Sequence, residues 1–191
     1  MVRVIGRKGY RATSVADVIA EVGSSRTTFY RYFDDKHDCF LAAYELTSGR
    51  VLGAVGANCD RERPWLERVR SGLESLLELL ASDPELARVA MVEAAIAGAE
   101  ARRRQLAAIS RCARLLESGR GRRGVELPAN TGLMAASAVA GLLFDEVQAG
   151  RATELPQLFP DMLFALLVPY LGPGHAAEEM RRQLAYPTHS R

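Results

Sequence analysis

Cysteine is scarce: Cys39, Cys59 and Cys112 are odd in number, far apart and never in Cys-x-x-Cys spacing. That argues against a disulfide framework or a zinc knuckle and makes reduced thiols the expected state. Long apolar runs are missing too. The most apolar stretch, Met162 to Leu171, is broken by Pro169 and falls short of the roughly 17–25 residues that cross a bilayer. The opening "MVRVIGRKGY" lacks the apolar core and small-residue cleavage site of a secretory leader. A cytoplasmic protein without a membrane segment is expected. Alternating strands flanked by turn dipeptides are absent, as are internal repeats and low-complexity tracts.

Catalytic sets are missing as well. The chain shows no paired carboxylates, Ser/His/Asp or Cys/His arrangement or glycine loop, so an enzyme is not expected. His37, His175 and His189 stand apart, and no Glu-x-x-His pair exists, so neither a metal nor another cofactor is expected. Charge of one sign is also lacking, with 25 Lys and Arg against 23 Asp and Glu for a net +2. A polycation that coats nucleic acid without preference is excluded. The surplus is local: residues 1–36 hold Arg3, Arg7, Lys8, Arg11, Arg26, Arg31 and Lys36 against Asp17, Glu21, Asp34 and Asp35.

What is present is helical periodicity throughout, so the fold class is all-α. A short stub runs to Lys8. "TSVADVIAEVG" follows, with Ser14 or Thr13 as N-cap, Asp17 at the positive end, Val15, Val18, Ile19 and Val22 inward, and Gly23 as the stop. Ser24 or Ser25 caps a second short helix to about Tyr32, with Phe29 and Phe33 on its buried side. Asp35 caps a longer one carrying Phe40, Leu41 and Tyr44 to about Val55. Beyond Cys59 come long helices: one from Pro64 with Leu66, Val69, Leu73, Leu76, Leu77 and Leu80 on a broad face, "PELARVAMVEAAIAG", and one from about Ala99 to Glu117. Ser118–Pro128 reads as a solvated loop, and helices are expected at about 129–150 and 156–171 before "GPGH" breaks the chain ahead of a short polar tail. The Arg102–Arg104 cluster reads as a solvated face sharing charge with Glu93, Glu100 and Glu117, and Cys112 as a small core residue.

Two short helices joined by a tight turn at Val22-Gly23-Ser24 make a helix-turn-helix, whose second helix can enter a DNA major groove. Arg26, Thr27 and Tyr30 share one of its faces. Arg26 suits a guanine edge, and Thr27 or Thr28 a neighbouring base. Tyr30, Tyr32 and Lys36 fall at the rim near phosphates, Lys36 aided by the helix that it opens.

Gly9 to Glu45, "GYRATSVADVIAEVGSSRTTFYRYFDDKHDCFLAAYE", resembles the DNA-binding region of the TetR (tetracycline-repressor) family through Gly9, Tyr10, Thr13, Val18, Ile19, Ala20, Gly23, Thr28, Tyr30, Phe33 and Lys36. The resemblance implies an all-helical homodimer with a variable ligand domain and repression that a small molecule relieves. It divides the chain at about residue 50, residues 1–50 for DNA and 51–191 for ligand and dimerisation. It assigns base contacts to Arg26, Thr27 and Thr28 and phosphate contacts to Tyr30, Tyr32 and Lys36, with Arg31, Ser14 and Ser25 beside them. The last two long helices, rich in small residues or apolar nearly all round, are the expected dimer face. A two-fold dimer implies a pseudo-palindromic operator. An apolar effector is expected near Trp65, Met91 and Ile109, with Phe40 at the lower end. The alternative is an all-helical small-molecule-binding protein or enzyme whose helix-turn-helix does not serve DNA.

Overall fold

The computed structural model describes residues 1–57, 62–122, 124 and 126–185, and among these every regular element is helical. Cys59 and His189 lie outside the described residues.

The N-terminal unit comprises α1 (Val2–Lys8), α2 (Val15–Val22) and α3 (Arg26–Tyr32), closed by the start of α4 (Lys36–Gly56). Local chemistry sets each boundary. Ser14 Oγ accepts from the Asp17 N–H while the Asp17 carboxylate accepts from the Ser14 N–H, a reciprocal capping box. Ser25 and Asp35 accept in the same way from the N–H groups of Thr28 and Asp38. Gly23 ends α2 at φ 62°, with the Ser24 N–H returning to the Ile19 carbonyl at 3.1 Å. A Cβ there would meet nothing within 4 Å. The glycine therefore serves backbone conformation rather than space.

A small core of Val18, Phe29 and Cys39, edged by Val15, Ile19 and Phe33, holds α2 and α3 together. Val22, expected inward, is 63% exposed, because this core stops at Ile19 and the chain turns away one residue later. Below it, Ile5, Phe40, Tyr44 and Val89 form a second core that fastens the unit to the rest of the chain. Here α1 lies so close to the next layer that a Cβ on Gly6 would come 2.6 Å from the Glu85 Cα.

The larger layer is built from α5 (Trp65–Ser82), α6 (Pro84–Arg88), a π turn (Val89–Glu93), α7 (Ala94–Ile96), α8 (Ala99–Glu117), α9 (Thr131–Gln148), a 3-10 turn (Ala152–Leu158) and α10 (Phe159–Ala185). Leu77, Leu80, Leu86, Leu143, Leu155, Leu163 and Leu167 are fully buried at its centre. Three features differ from the periodicity reading. The helix after Pro84 is interrupted by the π turn, where the Gln105 amide takes up two backbone carbonyls. Ser118–Pro128 is not merely solvated: Arg120 donates to the carbonyls of Leu127, Pro128 and Ala129. After a bend at Gly172 (φ 79°), helix resumes as far as Ala185 in place of a polar tail.

Ala152–Arg182 is long and apolar enough, by length and mean hydropathy alone, to cross a membrane. Its inner face instead packs into the core, where Met162, Leu163, Leu167 and Tyr170 are fully buried. The expected division at residue 50 falls within α4, one continuous helix whose first turns meet the N-terminal unit and whose last turns meet α5.

Candidate nucleic-acid interface and ligand cavity

The Gly9–Thr13 corner fixes how α2 and α3 are held. Gly9 adopts φ 83°, a conformation that favours glycine, and a Cβ there would come 3.4 Å from the Glu93 carboxylate. The polar groups around it are tied to one another. The Thr13 hydroxyl donates to the Gly9 carbonyl at 2.8 Å. The Lys36 ammonium donates to the carbonyls of Tyr10 and Thr13, each at 2.9 Å, and stands 4.3 Å from the Tyr10 ring centre. The Tyr10 N–H donates to Glu93 at 2.8 Å, and the Tyr10 ring packs edge-on against Phe40. Burial, with the charge of Asp35 adding to it, pushes the Tyr10 phenol up from its usual value.

Upon this frame α3 presents Arg26, Thr27, Thr28, Tyr30, Arg31 and Tyr32 to solvent, Tyr30 at 56% and Tyr32 at 68% exposure. Ser14 and Ser25 are exposed beside them, each engaged as a cap, and the Thr28 hydroxyl pairs with that of Ser25 at 2.9 Å. Charge pairing sorts the cations of this region. Arg7 pairs with Glu21 and Lys8 with Asp17, whereas among the described residues no carboxylate lies within ion-pair distance of Arg26 or Arg31. Arg11, which the spacing argument passed over, is exposed in the turn leading to α2. Lys36 differs from the expectation of an outward cation. It is half-buried, and two of its three N–H groups are taken by carbonyls, leaving one without a hydrogen bond.

A cavity of about 580 Å³ lies between α4, α5, α8, α9 and the π turn, within the range of roughly 300–1,000 Å³ usual for ligand sites. Its wall is mostly apolar, with Val51, Leu73, Met91, Ile109, Leu116 and Phe144, and carries polar groups at Tyr44, Ser48, Arg102, Gln105, Ser137 and Asp145. Burial, assisted by Glu45, pushes the Tyr44 phenol well up. Of the four residues expected near an effector, Met91 and Ile109 are on the wall. Trp65 and Phe40 are not. Trp65 is buried at the opposite end of α8, its Nε1–H donating to the Leu115 carbonyl and its ring against Gly119 and Tyr170. Phe40 belongs to the core beneath the N-terminal unit.

The basic cluster on α8 also differs from its expected pairing. Glu100 takes Arg103 and Arg104, but Glu93 holds Arg88 and Glu117 holds Arg120. Arg102 instead donates to the Gln105 amide oxygen at the cavity. Arg102 and Gln105 escaped the sequence argument because an arginine triplet on a helix looks uniform until its acids are placed. Cys112 also lines the cavity rather than a closed core. Along α9, Leu133, Met134 and Leu142 are exposed. Among the described residues no three His, Cys, Asp or Glu side chains gather as metal ligands would.

Residues 2–43 match the family described as bacterial regulatory proteins, tetR family. Over 82 residues the chain is 29% identical to the nucleoid occlusion factor SlmA of Haemophilus influenzae, a match covering 43% of this chain and 38% of that protein's length. Its fold is similar to that of the transcriptional regulator FadR from Bacillus subtilis in complex with stearoyl-CoA, with TM-score 0.70 and 20% identity over 90% of this chain and 94% of that one. FadR from Bacillus halodurans gives TM-score 0.73 at 19% identity with the same coverage. PfmR of Thermus thermophilus gives 0.62 at 20% identity over 83% of this chain and 93% of that one.

Proposed function

From the premise that the chain belongs, through residues 2–43, to the TetR family of bacterial DNA-binding regulators, we propose that it is a ligand-responsive repressor that binds a pseudo-palindromic operator as a homodimer. The observation that carries this is the pair of unpaired arginines on an exposed α3, beside a corner in which Arg7, Lys8 and Lys36 are internally matched. Unpaired cations on a projecting helix gain by meeting phosphates and base edges, which is how such a unit holds DNA. Arg26, Thr27 and Thr28 read bases. Tyr30, Arg31, Tyr32, the remaining Lys36 N–H and the neighbouring Ser14 and Ser25 hold the backbone.

Residues 1–50 serve DNA and residues 51–191 serve ligand and dimerisation, with α4 spanning both. The dimer face is α9 with α10: Met134 and Leu142, with Ala138 between them at i, i+4 and i+8, form an apolar stripe in need of cover, and the small Ala138 lets a second helix approach. The effector is a small, largely apolar molecule in the 580 Å³ cavity. The acyl chain bound by the similarly folded Bacillus subtilis FadR supports that chemistry. Ligand lowers operator affinity by the factor by which operator lowers ligand affinity. The protein acts in the cytoplasm, where the chromosome lies.

Fluorescence anisotropy with a duplex from its own upstream region tests the reading. Specific binding, with Arg26→Ala costing about 1–3 kcal/mol and relaxing preference at one base pair, is expected. Affinity indifferent to sequence would sink it.

A further inference from the structure

Resting on the regulator reading, one connected set of hydrogen bonds assigns both the chemistry of the effector and the route by which it acts. Arg102 is the one cation and Asp145 the one carboxylate among the described residues lining the cavity, and the neighbours Arg103 and Arg104 are paired with Glu100 and Glu45. Arg102 has only a neutral partner, the Gln105 Oε1. Gln105 is buried and its amide is fully committed, since Nε2 donates to the carbonyls of Ala90 at 2.9 Å and Met91 at 2.7 Å. Those carbonyls belong to the π turn, and both residues line the cavity. The same turn ends at Glu93, which is 1% exposed and holds the Tyr10 N–H at 2.8 Å and Arg88 Nε at 2.9 Å. The cavity wall and the mounting of the DNA-binding unit are therefore two ends of one five-residue turn.

We propose that the effector is an apolar chain with an acidic head, that Arg102 binds the head, and that Gln105 passes the event through the π turn to Glu93 and the Tyr10 N–H. A carboxylate brings opposite charge and can take two guanidinium N–H groups at once, which the single Gln105 amide oxygen cannot, so it draws Arg102 away from that oxygen. Gln105, released on one side, shifts its hold on the turn carbonyls, and the Glu93 clamp on the Gly9–Tyr10 corner loosens. A π turn inside an α-helix is a place where two hydrogen-bond registers lie close in energy, which suits it to such switching.

The test pairs dodecanoate with dodecan-1-ol, the same chain with and without the charge, by calorimetry and by their effect on affinity for the upstream duplex. Arg102→Gln should weaken dodecanoate about tenfold or more, the worth of a hydrogen bond to a charged group, and leave dodecan-1-ol nearly unchanged. Arg102→Lys should keep most of the dodecanoate affinity. Gln105→Met, brought to saturation with dodecanoate, should show the same affinity for DNA as it shows without dodecanoate. Amide exchange at Tyr10 in the wild type gives an independent readout, with faster exchange expected on adding dodecanoate.

Equal losses of acid and alcohol in Arg102→Gln, full transmission through Gln105→Met, or Tyr10 exchange unmoved by bound dodecanoate would overturn the proposal. Failure of the wild type to bind either chain would overturn it too, while specific operator binding kept the regulator reading intact. Dodecanoate binding through Arg102 by a protein indifferent to DNA sequence would defeat the regulator reading instead.

Discussion

The salt dependence of DNA binding can be worked out from which cations are already spoken for. Arg7 and Lys8 are matched by Glu21 and Asp17, so they bring little net charge to a duplex. Arg11, Arg26 and Arg31 are unmatched, and Lys36 retains one N–H after serving two carbonyls. Four such cations from each of two protomers make about eight, which gives a slope of log affinity against log salt near −7 and a loss of about ten-thousandfold between 50 and 200 mM salt. Arg31→Gln removes two charges per dimer and should flatten the slope to about −5.5. Arg7→Gln should leave it nearly unchanged. The assay is anisotropy with the upstream duplex across a salt series. Equal flattening by Arg7→Gln and Arg31→Gln would refute the reasoning, because it would mean that internal pairing does not decide which cations meet phosphate.

Lys36→Met keeps the aliphatic stem but strips the Tyr10 and Thr13 carbonyls of their donor; about 2 kcal/mol of stability should be lost, seen as a lower urea midpoint together with weaker DNA binding. Met134→Arg with Leu142→Arg places charge on the exposed stripe of α9, and sedimentation should show monomers with helix content intact. The Asp17 carboxyl is held well below the usual carboxylate range, first by the Lys8 ammonium and then by Ser14. Its folded value being lowered, its contribution is fully present above the unfolded value and is lost as pH falls through the acid range towards the folded value. A carboxyl NMR titration should therefore find Asp17 still ionised where exposed aspartates have protonated, and Lys8→Met should move it back towards them.

How much of this was legible in the sequence varies with range. The caps at Ser14, Ser25 and Asp35 and the stop at Gly23 act within four residues, so α2, α3 and the start of α4 could be placed from local chemistry. Val22 fits the same periodic face as Val15 and Ile19, yet it overhangs, because periodicity gives a direction and not the thickness of the core behind it. Lys36 looked like a free cation because its acceptors lie 23 and 26 residues earlier in the chain. The π turn left no mark on the apolar pattern, since its extra carbonyls are satisfied by Gln105 from another helix. Trp65 suggested a ligand site by residue type alone, whereas its position depends on Gly119 leaving room for the ring. The unpaired state of Arg102 became visible only once Glu93, Glu100 and Glu117 had their partners.

Hydroxyl-radical footprinting of the upstream duplex tests most directly whether two outward α3 helices grip adjacent turns of one double helix. The account predicts two protected patches on one face of the DNA with centres about 34–36 Å apart, or a multiple of that spacing, both lost in Arg26→Ala with Arg31→Gln. A single patch, or protection that survives those substitutions, would contradict it.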